Sequence, residues 1–200
     1  MSTSDPTPGE TPSRPYHHGD LRRALIEAAH AMVEESGPET LSLRNAARRI
    51  GVSHNAPYRH FPSRTELLAA VAADGFRALR DAVEQEQGLA AGIRAYIGFA
   101  RAHPGLFRLM FGETLQKSAD PALWAASEHA YDGLRRCVHE VAPGADRATV
   151  AVAWAQLHGL ALLTITGQLA SDLVDNRAVN ILVDRAAAIL KAGLPLATSK

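Results

Sequence analysis

Apolar residues recur three and four positions apart along almost the whole chain, and no β-branched run alternates over the length of a strand. Such a pattern gives successive helices one apolar stripe each and leaves nothing from which to build a sheet, so the expected fold class is all-α. A first helix opens at Asp20 and carries Leu21, Leu25, Ala28, Ala29, Met32 and Val33 on one stripe, until Gly37-Pro38 stops it. Ser42 is placed to cap a short second helix with Ala46, Ala47 and Ile50 inward, Gly51 supplies a tight turn, and Ser53 is placed to cap a third short helix over 53–61. Pro57 sits near the fourth position of that helix, where its missing N–H forfeits only the first intrahelical bond. Ser63-Arg64-Thr65-Glu66 has the form of a capping box and opens a long helix bearing Leu67, Leu68, Val71, Ala72, Phe76, Leu79 and Val83. The Gln/Gly-rich break at 85–91 is the expected domain junction. Further helices are expected over 93–103, 104–111, 121–141, 146–169 and 176–190.

Charge narrows the class of partner. The formal net charge is zero, but the segment from Arg14 to Arg64 holds eight arginines against five acids and five of the nine histidines. A locally basic face in a neutral chain points to a localised anionic partner. The single cysteine, Cys137, leaves no intramolecular disulfide to form and suits a reducing, cytoplasmic setting as a small buried hydrophobe. Residues 1–15 are rich in Pro, Ser and Thr with no apolar core, and read as a disordered arm and not a signal peptide. The segment 148–171 lacks formal charge, yet Gln156, His158, Thr164, Thr166 and Gln168 interrupt it and no Lys/Arg cluster flanks it. It reads as a bundle helix, not a membrane span.

Two short helices joined at Gly51-Val52, with the first helix packed across both, form a helix-turn-helix. In that arrangement the second short helix enters the major groove, and its N-terminal side chains meet base edges. The stretch VSHNAPYRHF (52–61) then makes sense: Val52, Ala56 and Phe61 face a core, and the remaining side chains offer donors and acceptors to nucleic acid.

YHHGDLRRALIEAA and TLSLRNAARRIGVSHNAPYRHFPSRTELL resemble the N-terminal region of TetR/AcrR-type transcriptional regulators. RAHPGLFRLMFG (101–112) and WAQLHGL (154–160) resemble the WHG-type ligand-binding domain of one branch of that family. The resemblance runs over about residues 16 to 190. It implies a two-domain, all-α homodimer: a three-helix DNA-binding domain at 16–62, a connecting helix at 63–86, and a larger effector-binding and dimerisation domain at 87–195. The implied partners are a double-stranded DNA operator and a small-molecule effector, with no cofactor, no membrane and no enzymatic activity. It implies that Arg44 reaches the groove from the second helix and that His54 and Asn55 read bases. Tyr58 and His60 match an aromatic pair that contacts phosphates, and Arg64 sits where helix dipole and charge both favour phosphate. Ser42 and Ser53 combine capping with phosphate contact. Arg59 departs from the commoner aromatic residue, so base and phosphate contact both stay open for it.

For the larger domain the resemblance places Phe99, His103, Phe107, Met110, Trp124, Tyr131, Trp154 and His158 on helices that surround an effector cavity. Read singly, each of these is an ordinary core residue; read together they describe an apolar pocket with a few orienting polar groups. The same histidines, with His129, could form a three-His zinc site (103, 129, 158), but their spacing matches no zinc signature. Adjacent His17 and His18 rarely chelate alone, and the arm they belong to either lies along the DNA or is solvated. No residue is therefore assigned to a metal. A helical small-molecule-binding protein without DNA binding is the rival reading. No phosphate-binding glycine loop, nucleophile elbow or carboxylate pair supports an enzyme. Helices 146–169 and 176–190, with Val179, Leu182, Val183 and Ala187, are the expected dimer face.

Overall fold

The computed structural model describes residues 18–169, 173 and 175–193. The expected arm at 1–15 lies outside them. Among the described residues there are eight α-helices and no strand: α1 His18–Ser36, α2 Leu43–Arg49, α3 Arg64–Glu84, α4 Leu89–Ala102, α5 Pro104–Phe111, α6 Pro121–Val141, α7 Arg147–Ile165 and α8 Asn176–Gly193. Short 3₁₀ turns lie at Pro38–Thr40, Ala56–Arg59 and Lys117–Ala119. The architecture is all-α, as the periodicity implies. Capping chemistry sets most of the starts. Ser42, Ser63, Asp120 and Asp146 each accept a backbone N–H from three residues on, which satisfies donors that the first turn leaves without partners.

Several boundaries differ from expectation, among them the end of α7, which stops at Ile165 and not 169. α1 already runs through Asp20, so that residue lies inside the helix instead of capping it. α4 begins at Leu89, which shrinks the break to 85–88. The third short helix is not α-helical. Residues 54 and 55 form a turn and Ala56–Arg59 a 3₁₀ helix, without a side-chain cap from Ser53 or Asn55. Pro57 is the cause. It cannot donate to the Ser53 carbonyl, which takes the Ala56 N–H at 3.0 Å instead, and it disfavours α geometry in Ala56 before it. His60 N–H then also bonds three back, to the Pro57 carbonyl at 2.9 Å. Gly51, at φ +73, turns the chain between α2 and this segment in a conformation a side chain would resist.

One continuous buried cluster joins the described helices. α3 is its axis: Leu67, Leu68, Val71, Phe76, Leu79 and Val83 are all buried, and the helix packs on α1, α4, α5 and α6. From the N-terminal helices Leu25, Ala29, Val33, Ala46 and Phe61 enter the same core.

α7 buries a single narrow stripe, Val150, Ala153, Leu157 and Ala161. Its opposite side is exposed, with Val152 at 58% and Leu163 at 40%. The helix is long and apolar enough to cross a membrane by length and composition alone. A bundle helix passes the same test, so this feature does not distinguish the two. On α8 the expected dimer stripe is corrected at three of its four positions: Val179, Val183 and Ala187 face the chain's own core at 6%, 0% and 5% exposure, and Leu182 is half-buried. Ile181 and Ile189 are the apolar side chains that α8 leaves outside, at 52% and 62%. α8 carries apolar residues on two faces, and periodicity alone does not reveal which of them the chain covers itself.

Candidate functional site: a nucleic-acid interface and an apolar cavity

The N-terminal unit presents one polar edge. Arg44 on α2 and Ser53, His54, Asn55, Tyr58 and Arg59 on the following segment are all exposed, while Ser42 and His60 are half-buried. Pro57 and Phe61 are buried beneath them and anchor the segment. The Arg22 guanidinium lies 5.1 Å from the Phe61 ring centroid, tying α1 to the end of the segment by a cation–π contact. Arg49 grips Glu35 with two bonds of 2.7 and 2.5 Å and so fixes α2 against α1. That pair holds the Glu35 carboxyl below its usual range, chiefly through the hydrogen bond from Arg49.

The arginines thus divide by task. Arg49 is committed to Glu35, and Arg48 donates to the Asn45 side chain at 3.2 Å. Arg44 and Arg59 form no ion pair among the described residues, so their charge faces outward uncompensated. Arg64 differs from its expected surroundings. Its Nε donates to the Leu41 carbonyl at 2.8 Å, and one terminal nitrogen donates to the Pro38 carbonyl. The guanidinium buckles the start of α3 to the loop before α2, with only part of its donor set left over. Arg64→Ala should therefore lower stability by about 2 kcal/mol, the size expected for losing charged hydrogen bonds to backbone acceptors, and should reduce the salt slope of DNA binding by less than a full charge. Chemical denaturation and a salt titration on the same variant check both effects.

A cavity of about 370 Å³ lies among α3, α4, α6 and α7. Trp124, Tyr131 and Trp154 line it as expected; Phe76, Tyr96, Phe111 and Lys117 line it without having been expected. Trp154 meets Tyr131 edge to face at 6.1 Å between centroids, forming an aromatic corner. The Lys117 ammonium lies 4.9 Å from the Phe76 centroid and 5.0 Å from that of Phe111. Burial pulls its pKa below the usual lysine value, and the two ring faces replace part of the lost hydration. Phe76 and Phe111 sit in apolar stripes that look like core, and nothing around Lys117 in the sequence marks it. Sequence reasoning had no signal for any of the three.

The five other expected effector residues do not line this cavity. Phe107 and Met110 are fully buried, at 0% and 1%, on the inner face of α5. His158 stacks on Phe107 at 5.4 Å and is hydrogen-bonded through Nδ1 to the Tyr96 hydroxyl at 2.9 Å. Burial, reinforced by the Lys117 charge, lowers the His158 pKa, while burial raises that of the Tyr96 phenol. The two form a neutral hydrogen-bonded pair, with Tyr96 in the cavity wall and His158 behind it. Phe99 packs on His103 at 5.1 Å, and His103 itself turns toward α1 and away from the cavity.

At that contact α5 begins on the end of α1. Both Glu34 carboxylate oxygens accept backbone N–H groups from α5, Gly105 at 2.9 Å and Leu106 at 3.0 Å. Gly105 allows the approach: a Cβ there would stand 2.6 Å from the Val33 carbonyl oxygen. This latch joins the N-terminal unit directly to the cavity-bearing helices.

Residues 25–71 match the family described as bacterial regulatory proteins of the tetR family, and residues 89–190 match the tetracyclin repressor-like C-terminal domain. The chain belongs to the TetR family of helix-turn-helix regulators. A solved protein of unknown function from Rhodococcus sp. RHA1 is 36% identical, with 92% of this chain and 100% of that one covered at a TM-score of 0.77. A tetR-family regulatory protein from Rhodococcus RHA1 shares the fold at 15% identity and a TM-score of 0.64, covering 88% of this chain and 97% of its own. The nucleoid occlusion factor SlmA of Pasteurella multocida is 30% identical over 121 residues, 56% of this chain and 60% of that protein. The chain spans a little over half the length of the curated relatives it matches.

Proposed function

We propose that the protein is a homodimeric, sequence-specific, cytoplasmic transcriptional repressor released from its operator by a small apolar effector. The observation that carries this reading is the outward polar segment at 53–60, which includes the uncompensated charge of Arg59, is anchored on buried Pro57 and Phe61, and is accompanied by the exposed Arg44 of α2. Asn55 and Arg44 read bases, while Tyr58 and His60 hold phosphates. RAHPGLFRLMFG and WAQLHGL favour the WHG-type form of the larger domain. Exposed apolar residues on α7 and α8 supply a dimer face, and the two reading segments stand ~34–36 Å apart on one duplex face.

Selection of bound duplexes from a random pool tests this. The expected product is a two-fold symmetric site, and each of Asn55→Ala and Arg44→Ala should relax preference at one position per half-site, costing roughly 1–3 kcal/mol there. A uniform loss across all sequences would remove both residues from base reading.

The effector occupies the cavity beside Trp154. Trp154→Ala enlarges that wall without touching the N-terminal unit, so DNA affinity should stay near that of the parent protein while the inducing concentration shifts several-fold. An unmoved inducing concentration would make Trp154 a packing residue.

A further inference from the structure

Three side chains meet where α1 reaches the corner between α4 and α5: His30 and Glu34, one turn apart on α1, and His103 from the α4–α5 junction. Their donor atoms all lie within 4.8 Å of one another. His30 Nε2 stands 3.7 Å from a Glu34 carboxylate oxygen, and His103 Nδ1 stands 4.0 Å from the same oxygen. Both separations exceed a hydrogen bond, and His30 Nε2 is shielded from water with no hydrogen-bond partner. The spacing suits donors arranged around a shared central atom. Tetrahedral ligands on bonds of 2.0–2.1 Å lie about 3.4 Å apart, so the two His–Glu pairs would close by about 0.3 and 0.6 Å and the two histidine donors by no more than about 1.4 Å, a shift that side-chain rotation supplies.

We infer that His30 Nε2, Glu34 and His103 Nδ1 form a site for a first-row transition-metal dication of the zinc type. Two imidazoles and one carboxylate suit that class, whereas calcium and magnesium prefer oxygen ligands throughout. Water would complete the coordination from the side of His103, whose side chain keeps 40% of its surface exposed. The second shell is already in place: the Gly105 and Leu106 N–H groups orient the Glu34 carboxylate and leave each oxygen a free lone pair. The bound ion would pin α1, which belongs to the DNA-binding unit, to the start of α5 in the larger domain.

Chelator-stripped full-length protein is titrated with zinc against a chromogenic competitor, and its melting temperature is followed with and without zinc. One ion per chain is expected, together with a rise in melting temperature. His30→Gln and His103→Gln should each weaken binding at least tenfold and abolish the zinc-dependent rise, although both variants fold without zinc. A His17→Ala/His18→Ala variant should bind as the parent does. Cobalt substitution should give the visible absorption bands of a four- or five-coordinate ion in the parent protein and lose them in both glutamine variants. The site is refuted if the parent protein takes up no zinc, if binding survives both glutamine substitutions, or if it disappears with His17 and His18.

Discussion

Replacing Val152 and Ile189 with glutamate should convert the protein to a monomer and lower its operator affinity by roughly 10²–10⁴-fold, the range expected when a second tethered contact is lost. Both side chains are more than half exposed and border one groove between α7 and α8. Charges there meet solvent in the free chain but would be buried and unpaired in a dimer. The fold should survive, because neither residue contributes to the chain's own core. Val179 and Val183 would be poor choices for the same test: they lie inside the chain, and glutamate there would unfold α8 whether or not the protein dimerises. Light scattering and a DNA-binding isotherm on one preparation decide the matter. A dimer with undiminished operator affinity would place the interface elsewhere.

Phe107→Ala should lower stability by about 3–5 kcal/mol, a large fraction of the 5–15 kcal/mol typical of a folded protein, while leaving the cavity-facing residues unchanged. Phe107 is fully buried, meets Tyr96 edge to face at 5.7 Å and stacks with His158, so its removal opens a hole behind the cavity instead of within it. Urea unfolding gives the stability change. If stability changes by less than 1 kcal/mol while effector binding is lost, Phe107 touches the ligand directly, contrary to its position here.

The contrast between Phe107 and Trp154 shows where sequence reading stops. Helix order and most boundaries were legible because capping residues and 3.6-residue periodicity are local signals, and Ser42, Ser63, Asp120 and Asp146 act locally. Pro57 was read as harmless to an α-helix. Its effect depends on how one missing donor and the residue before it shift a whole turn to 3₁₀ geometry. Aromatic residues marked the larger domain as a pocket, but Phe107 and Trp154 have the same character in sequence. Only packing decides which lies behind the wall and which forms it. Glu34 reads as one more solvated acid on α1; its two bonds to α5 join residues 71 and 72 positions apart, a relation periodicity does not encode.

Binding of the full-length protein to duplex DNA upstream of its own gene, compared with a random duplex of equal length over a range of salt concentrations, tests the central claim most directly. The account predicts operator binding at least 10³-fold tighter than random binding at physiological salt, with both affinities falling steeply as salt rises. Equal affinity for the two duplexes, or no salt-dependent binding to either, would contradict it and favour a helical small-molecule-binding protein that does not act on DNA.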